Sequence, residues 1–146
     1  MRMSALAAAL VRPQLELLPR RAATWNARYA ELAAGLQAID GVRVPQRDDR
    51  EEYVASSIQF TVDHPDIASF VDRAAASGVV LKWFGSQAPH GFTSRFDHWQ
   101  FAAAGSAPRA AEVLATLIDM RIPLAMTAEQ AAAIPQVIAS ALRGMP

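Results

Sequence analysis

The stretch "VASSIQFTVDHPDIASFVDRAAASGVVLKWF", residues 54–84, decides the fold class. Its opening residues alternate. Ile58, Phe60 and Val62 fall on one face and Ser57, Gln59 and Thr61 on the other, the period-two pattern of a half-buried strand. The period then changes. Pro65 stands near the first turn of a predicted helix, Ile67, Phe70, Val71 and Ala74 form its buried stripe, and Gly78 falls just past its end. "VVLKWF" reads as a second strand. A strand, a helix and a strand in this order place the chain in a mixed class.

On the N-terminal side, "VRVP" (42–45) is a short strand candidate, and "QRDDREEY" (46–53) is an exposed, mobile charged loop. Arg47 and Arg50 compensate the carboxylates of that loop, which favours a solvated segment over a metal site. Ser4 to Leu36 is helical in composition, broken or kinked at Pro13 and Pro19, because proline lacks the N–H and clashes with the preceding turn. Trp25, Tyr29, Leu32 and Leu36 recur at helical spacing, as residues packed on a sheet do, and Asp40-Gly41 closes the region.

On the C-terminal side, "GSQAPHGFTSRFDHWQFAAAGS" (85–106) is a long irregular stretch, and loops of that length in a compact domain are usually functional. Ala107 to Asp119 is expected to be helical, with Val113, Leu114, Leu117 and Ile118 as its apolar side. "MRIPL" (120–124) is a short extended piece. Thr127 begins a final helix through Leu142, with Thr127 and Gln130 at capping-box spacing and Ile134, Val137, Ile138 and Leu142 facing inward. Pro135 falls within it. The expected fold is α+β: a small, mainly antiparallel sheet covered by helices on one face, preceded by a long kinked N-terminal helix.

Composition narrows the function. The chain has 146 residues, 52% of them hydrophobic and 19% charged, with zero formal net charge. That suits one ordinary domain and leaves no electrostatic footprint for nucleic acid or an anionic membrane. The absence of cysteine excludes disulfides, thiolate metal sites and a cysteine nucleophile. "MRMSALAAALVRP" superficially resembles a secretory signal, but its apolar run is short, Ala-rich and stopped by Arg12. No stretch approaches the ~20 apolar residues of a membrane span. The cytoplasm is the expected location.

Lys82, the only lysine, sits among valines, leucine, tryptophan and phenylalanine. A strand lysine buries its stem and extends its ammonium into water, which is the first reading; an anion or substrate contact is the second, and imine chemistry the third. Arg95, in "FTSRFDHW", has the planar fork that suits carboxylate or phosphate, with a salt bridge to Asp97 or another loop carboxylate as the equal alternative. Ser94 and Trp99 could help shape a substrate pocket, although a tryptophan at this spacing is more often core. His64, His90 and His98 form no HxH or HxxxH pair, so the metal signal is weak. His64, preceding a helix, reads as a cap.

Two segments carry a family resemblance: "RMSALAAALVRPQLELLPRRAATWNARYAELAAGL" (2–36) and "IPLAMTAEQAAAIPQVIASAL" (122–142). They resemble the C-terminal part of a DegT/StrS-type aminotransferase, a fold-type-I enzyme that uses pyridoxal phosphate. The first is similar to the helix leading out of the family's large domain, the second to its closing proline-containing segment, capped threonine and last helix. "GVVLKWFGSQAPHGFTSRFDHWQF" (78–101) looks like a branch-specific active-site-edge loop.

The resemblance implies that the cofactor lysine, phosphate-binding turn and ring-stacking aromatic belong to a large domain that would precede Met1. Residues 1–40 are then a kinked helix connecting to an absent large domain, and residues 41–146 the small C-terminal domain. The expectation is a fragment, a truncated product or half of a split protein, inactive alone. Pyridoxal phosphate is expected in the complete enzyme and no cofactor with this chain alone. Expected partners are a large cofactor-binding domain or subunit, a second copy in a homodimer, and an amino acid, keto acid or keto sugar, with no nucleic acid and no membrane. Arg121, in "DMRIPLAMTAEQ", resembles in placement the arginine with which fold-type-I enzymes grip an α-carboxylate; an ion pair with Asp119 or Glu129 is the alternative. The substrate-binding set implied is Arg121, Arg95, Lys82, Trp83 and Ser94. A free-standing, non-catalytic module that binds a partner chain or small anion remains the other reading.

Overall fold

The structure, a computed structural model, describes residues 3–48, 50–88 and 107–144. Its elements are α1 (Ala5–Glu16), α2 (Leu18–Gln37), β1 (Val42–Arg43), β2 (Ser57–Val62), α3 (Ile67–Ala76), β3 (Lys82–Trp83), α4 (Pro108–Thr116), β4 (Leu117–Arg121) and α5 (Ala128–Arg143). The strands form one antiparallel sheet in the order β1-β2-β4-β3. The α+β class and the small antiparallel sheet are as expected.

Register explains the core. Ile58 stands opposite Met120 and Phe60 opposite Ile118, so the apolar faces of β2 and β4 coincide. On that face α2 contributes Leu32 and Leu36, α3 contributes Phe70 and Ala74, and α5 contributes Ile138 to one buried cluster. Two polar ties fix α2 to the segments around it. The Trp25 indole N–H donates to the Ile122 carbonyl at 2.8 Å. Asn26 donates to the Tyr53 carbonyl at 2.9 Å and accepts from the Ala55 N–H at 3.0 Å.

Several expectations need correction. The helix foreseen over 107–119 ends at Thr116, and Leu117, Ile118 and Asp119 belong to β4. Pairing with β2 buries Ile118 and Met120 completely or nearly so, which helical continuation would forgo. Val113, placed on the apolar side, is exposed. "VVLKWF" pairs only at Lys82 and Trp83, and "VRVP" only at Val42 and Arg43. Pro13 lies inside α1, and the break falls at Leu17, with Pro19 in the first turn of α2. The charged loop is not loose throughout: the Arg47 guanidinium stacks over Tyr53 at 4.3 Å and Tyr29 at 4.9 Å. His64 Nδ1 accepts the Asp66 N–H, but the cap of α3 is Asp66 itself.

Candidate functional site

The chain leaves α3 through a left-handed glycine. Gly78 has φ +84°, its N–H donates to Ala75 and that of Val79 to Ala74, the paired bonds of a Schellman turn. The turn sends residues 79–81 along the edge of the sheet and delivers Lys82 into β3. There Lys82 stands directly opposite Asp119 of β4, which stands opposite Gln59 of β2. Arg121, two residues along β4, shares their face and stands opposite Ser57.

Between this edge and α5 lies a groove of about 760 Å³. Val79, Leu81, Met120, Ile134 and Val137 line it, together with Lys82, Asp119 and Arg121. Lys82 is half-buried, Asp119 is buried at 8% exposure, and Arg121 is exposed. The ion pairs among the described residues are Arg28–Glu31 and Arg50–Asp48; Arg121 makes none with Asp119 or Glu129. Its guanidinium, with no hydrogen bond among the described residues, can accept a planar anion in a bidentate pair.

Trp83 borders a second, smaller cavity of about 220 Å³ between α3 and β3, which Lys82 also lines. Its indole N–H donates to the Ala115 carbonyl at 2.7 Å. That bond passes Gly85 so closely that a Cβ there would lie 2.6 Å from the indole nitrogen. Trp83 thus fastens the end of β3 to the last turn of α4. Lys82 and Arg121 meet in one groove, while Arg95 and Ser94, like Trp99, Asp97, His90 and His98, lie outside the described residues. From sequence Asp119 was named only as an alternative ion-pair partner of Arg121, not as a residue of the site. Its signal was the alternation of Ile118, Met120 and Ile122, which places Asp119 on the same face as Arg121.

Among the described residues, the two cavities that Lys82 lines show no cradle for pyridoxal phosphate. Such a site needs a lysine beside free phosphate donors, commonly the N–H groups of a helix N-terminus. Of the helix starts that border those cavities, that of α3 is closed by the Asp66 carboxylate and that of α5 by the Thr127–Gln130 capping box. Among the described residues no group of three or more His, Asp or Glu is placed to hold a metal ion, and no helix is long and apolar enough to cross a membrane.

The fold has close parallels among solved aminotransferases. TlmJ, an aminotransferase from Streptoalloteichus hindustanus, superposes with a TM-score of 0.76 at 18% identity, over 94% of this chain and 36% of its own. 3-Amino-5-hydroxybenzoic acid synthase gives 0.75 at 20% identity, over 98% and 40%. DesI, solved in the presence of its TDP-sugar product, gives 0.74 at 18% identity, over 97% and 36%. The chain therefore spans well under half the length of these proteins. No curated protein sequence matches it. The model of one family matches residues 1–139, nearly the whole chain, and on that match the chain belongs to the DegT/DnrJ/EryC1/StrS aminotransferase family.

Proposed function

We propose that this chain is the C-terminal, substrate-cleft domain of a pyridoxal-phosphate-dependent aminotransferase that moves an amino group between an amino acid and a keto acid or keto sugar. The family match over residues 1–139 carries the reading. The cofactor supplies the amino-transfer chemistry when bound to the complete enzyme, and the protein supplies binding, orientation and charge. On this reading residues 1–40 lead out of a large domain or subunit and residues 41–146 form the small domain.

The exposed side chains of α1 support such a partner. Leu6, Leu10 and Leu15 are 73%, 66% and 60% exposed, and no residue of this helix is buried. A helix with so much bare apolar surface gains free energy when another domain covers it. The complete enzyme is then expected to be a cytoplasmic homodimer. Within its cleft, Arg121 holds a carboxylate, Lys82 places a second cation nearby, and Arg95, Ser94 and Trp83 complete the edge. Of the named relatives, one is a synthase of 3-amino-5-hydroxybenzoic acid and another was solved with its TDP-sugar product.

The coding sequence around this chain tests the reading. A continuous upstream frame or adjacent gene for a cofactor-binding half, which restores amino transfer when joined to this chain, supports it. A chain that functions with no such half favours the non-catalytic module.

A further inference from the structure

We propose that the groove beside β4 receives a peptide strand from a partner chain, added to the sheet through the main chain of Arg121. The proposal stands apart from the aminotransferase reading and uses only the strand register and the lining. In an antiparallel ladder the main-chain groups of successive residues turn to opposite neighbours. The Ile122 N–H donates to the Ser56 carbonyl on the β2 side, and the Phe84 N–H donates to the Leu117 carbonyl on the β3 side. By that alternation Leu117, Asp119 and Arg121 turn their N–H and C=O groups towards β3. Lys82 meets Asp119, but at the next position Val80 and Arg121 do not pair. Among the described residues the main-chain groups of Val80 and Arg121 have no hydrogen bond. The ladder splits there, and the groove of about 760 Å³ is lined by both edges of the split.

The same register sorts the side chains. Val79 and Leu81 on one edge and Met120 on the other are buried towards the helices, where Ile134 and Val137 of α5 complete an apolar wall. Lys82, Asp119 and Arg121 carry their side chains on the opposite face of the sheet. Gln130 also lines the groove, but its Oε1 accepts the Thr127 N–H, and Ser77 stands at the end where α3 closes. The polar groups at the split itself are therefore main-chain groups. A peptide matches these with its own N–H and C=O, as in other strand additions to an open edge, whereas an apolar small molecule leaves them without a protein partner. A residue laid opposite Arg121 shares its polar face, and the residues on either side of it turn towards α5. The pattern that fits is apolar, polar, apolar.

Binding to the full chain, read by calorimetry and by hydrogen exchange at the Arg121 amide, tests this. The probes are acetyl-Leu-Thr-Leu-methylamide, the same peptide N-methylated at its threonine, and acetyl-Ser-Thr-Ser-methylamide. The first should bind saturably at one site and slow exchange of the Arg121 amide about tenfold or more. The N-methylated peptide keeps both leucines but loses the central donor, and should bind about tenfold more weakly or worse without protecting that amide. The serine peptide should also bind about tenfold more weakly or worse, because the apolar contacts are lost. Val80→Pro removes one main-chain donor of the split and should weaken the leucine peptide several-fold, while Val80→Ala, which keeps that donor, should bind it as the wild type does. The proposal is overturned if the leucine peptide does not bind saturably, or if either altered peptide binds as tightly. It is overturned too if the Arg121 amide is already protected in the free chain, which would mean that the split closes on itself. Protection that rises with chain concentration in the absence of peptide would make a second copy the occupant and likewise overturn it.

Discussion

Pro135 of α5 fits into the notch that Gly35 leaves on α2: a Cβ on Gly35 would lie 2.5 Å from Pro135 Cγ. The contact explains a glycine inside one helix and a proline inside the other, both costly by propensity alone. Gly35→Ala gains helix propensity, worth about 1 kcal/mol at most, but forces a methyl into a packed contact, at a cost of about 1–3 kcal/mol. Net destabilisation of up to about 2 kcal/mol is expected in urea unfolding. In the Pro135→Ala background the same substitution should cost less. Additive effects of the two changes would show that the notch does not matter.

Asn26 satisfies two backbone groups of the segment between β1 and β2, the Tyr53 carbonyl and the Ala55 N–H. Asn26→Leu has similar bulk and leaves both without that partner. A loss of about 1–3 kcal/mol is expected from stranding partly buried polar groups, with faster hydrogen exchange at the Ala55 amide. Unchanged exchange there would contradict the assignment.

Asp66 gives a pH dependence with a definite sign. Its carboxylate accepts from the Ser69 hydroxyl and the Ser69 N–H, and these bonds, the hydroxyl first, hold its carboxyl below the ordinary 3.8. A carboxyl depressed by folding adds stability above its unfolded value and loses it as pH falls through the folded one. Asp66→Asn keeps a capping oxygen but does not titrate. The stability gap between wild type and Asp66→Asn should therefore stay constant from about pH 7 to about pH 5 and shift against wild type below about pH 4. A gap that does not change on acidification would refute the cap's charge dependence.

Where local signals were strong, sequence and structure agree. The alternation of Ile58, Phe60 and Val62 gave β2, and the Thr127–Gln130 box gave the start of α5. The α4–β4 boundary was not legible, because Leu114, Leu117 and Ile118 fit helical spacing and only pairing with β2 decides between the two states. Lys82 and Arg121 were legible as chemistry, but their shared groove was not. It depends on the register of β3 against β4, a non-local pairing fixed at only two positions.

Leu6 and Leu10 lie one turn apart on α1 and are largely exposed. The chain without a covering partner should self-associate through this helix, with a mass that rises with concentration in sedimentation. Leu6→Glu with Leu10→Glu should render it monomeric while changing unfolding stability by no more than about 0.5 kcal/mol per site. A wild-type chain that stays monomeric and highly soluble at all concentrations would count against a missing covering domain.

The central claim is that this chain completes the substrate cleft of an aminotransferase through Arg121. It is tested most directly by kcat/KM for the amino donor in the enzyme reconstituted with its cofactor-bearing half, comparing wild type, Arg121→Ala and Arg121→Lys. A bidentate carboxylate contact predicts that both variants lose more than the ~0.2–1 kcal/mol of an exposed salt bridge, since lysine keeps the charge but not the fork. Wild-type kcat/KM in both variants, with the protein normally folded, would contradict the account.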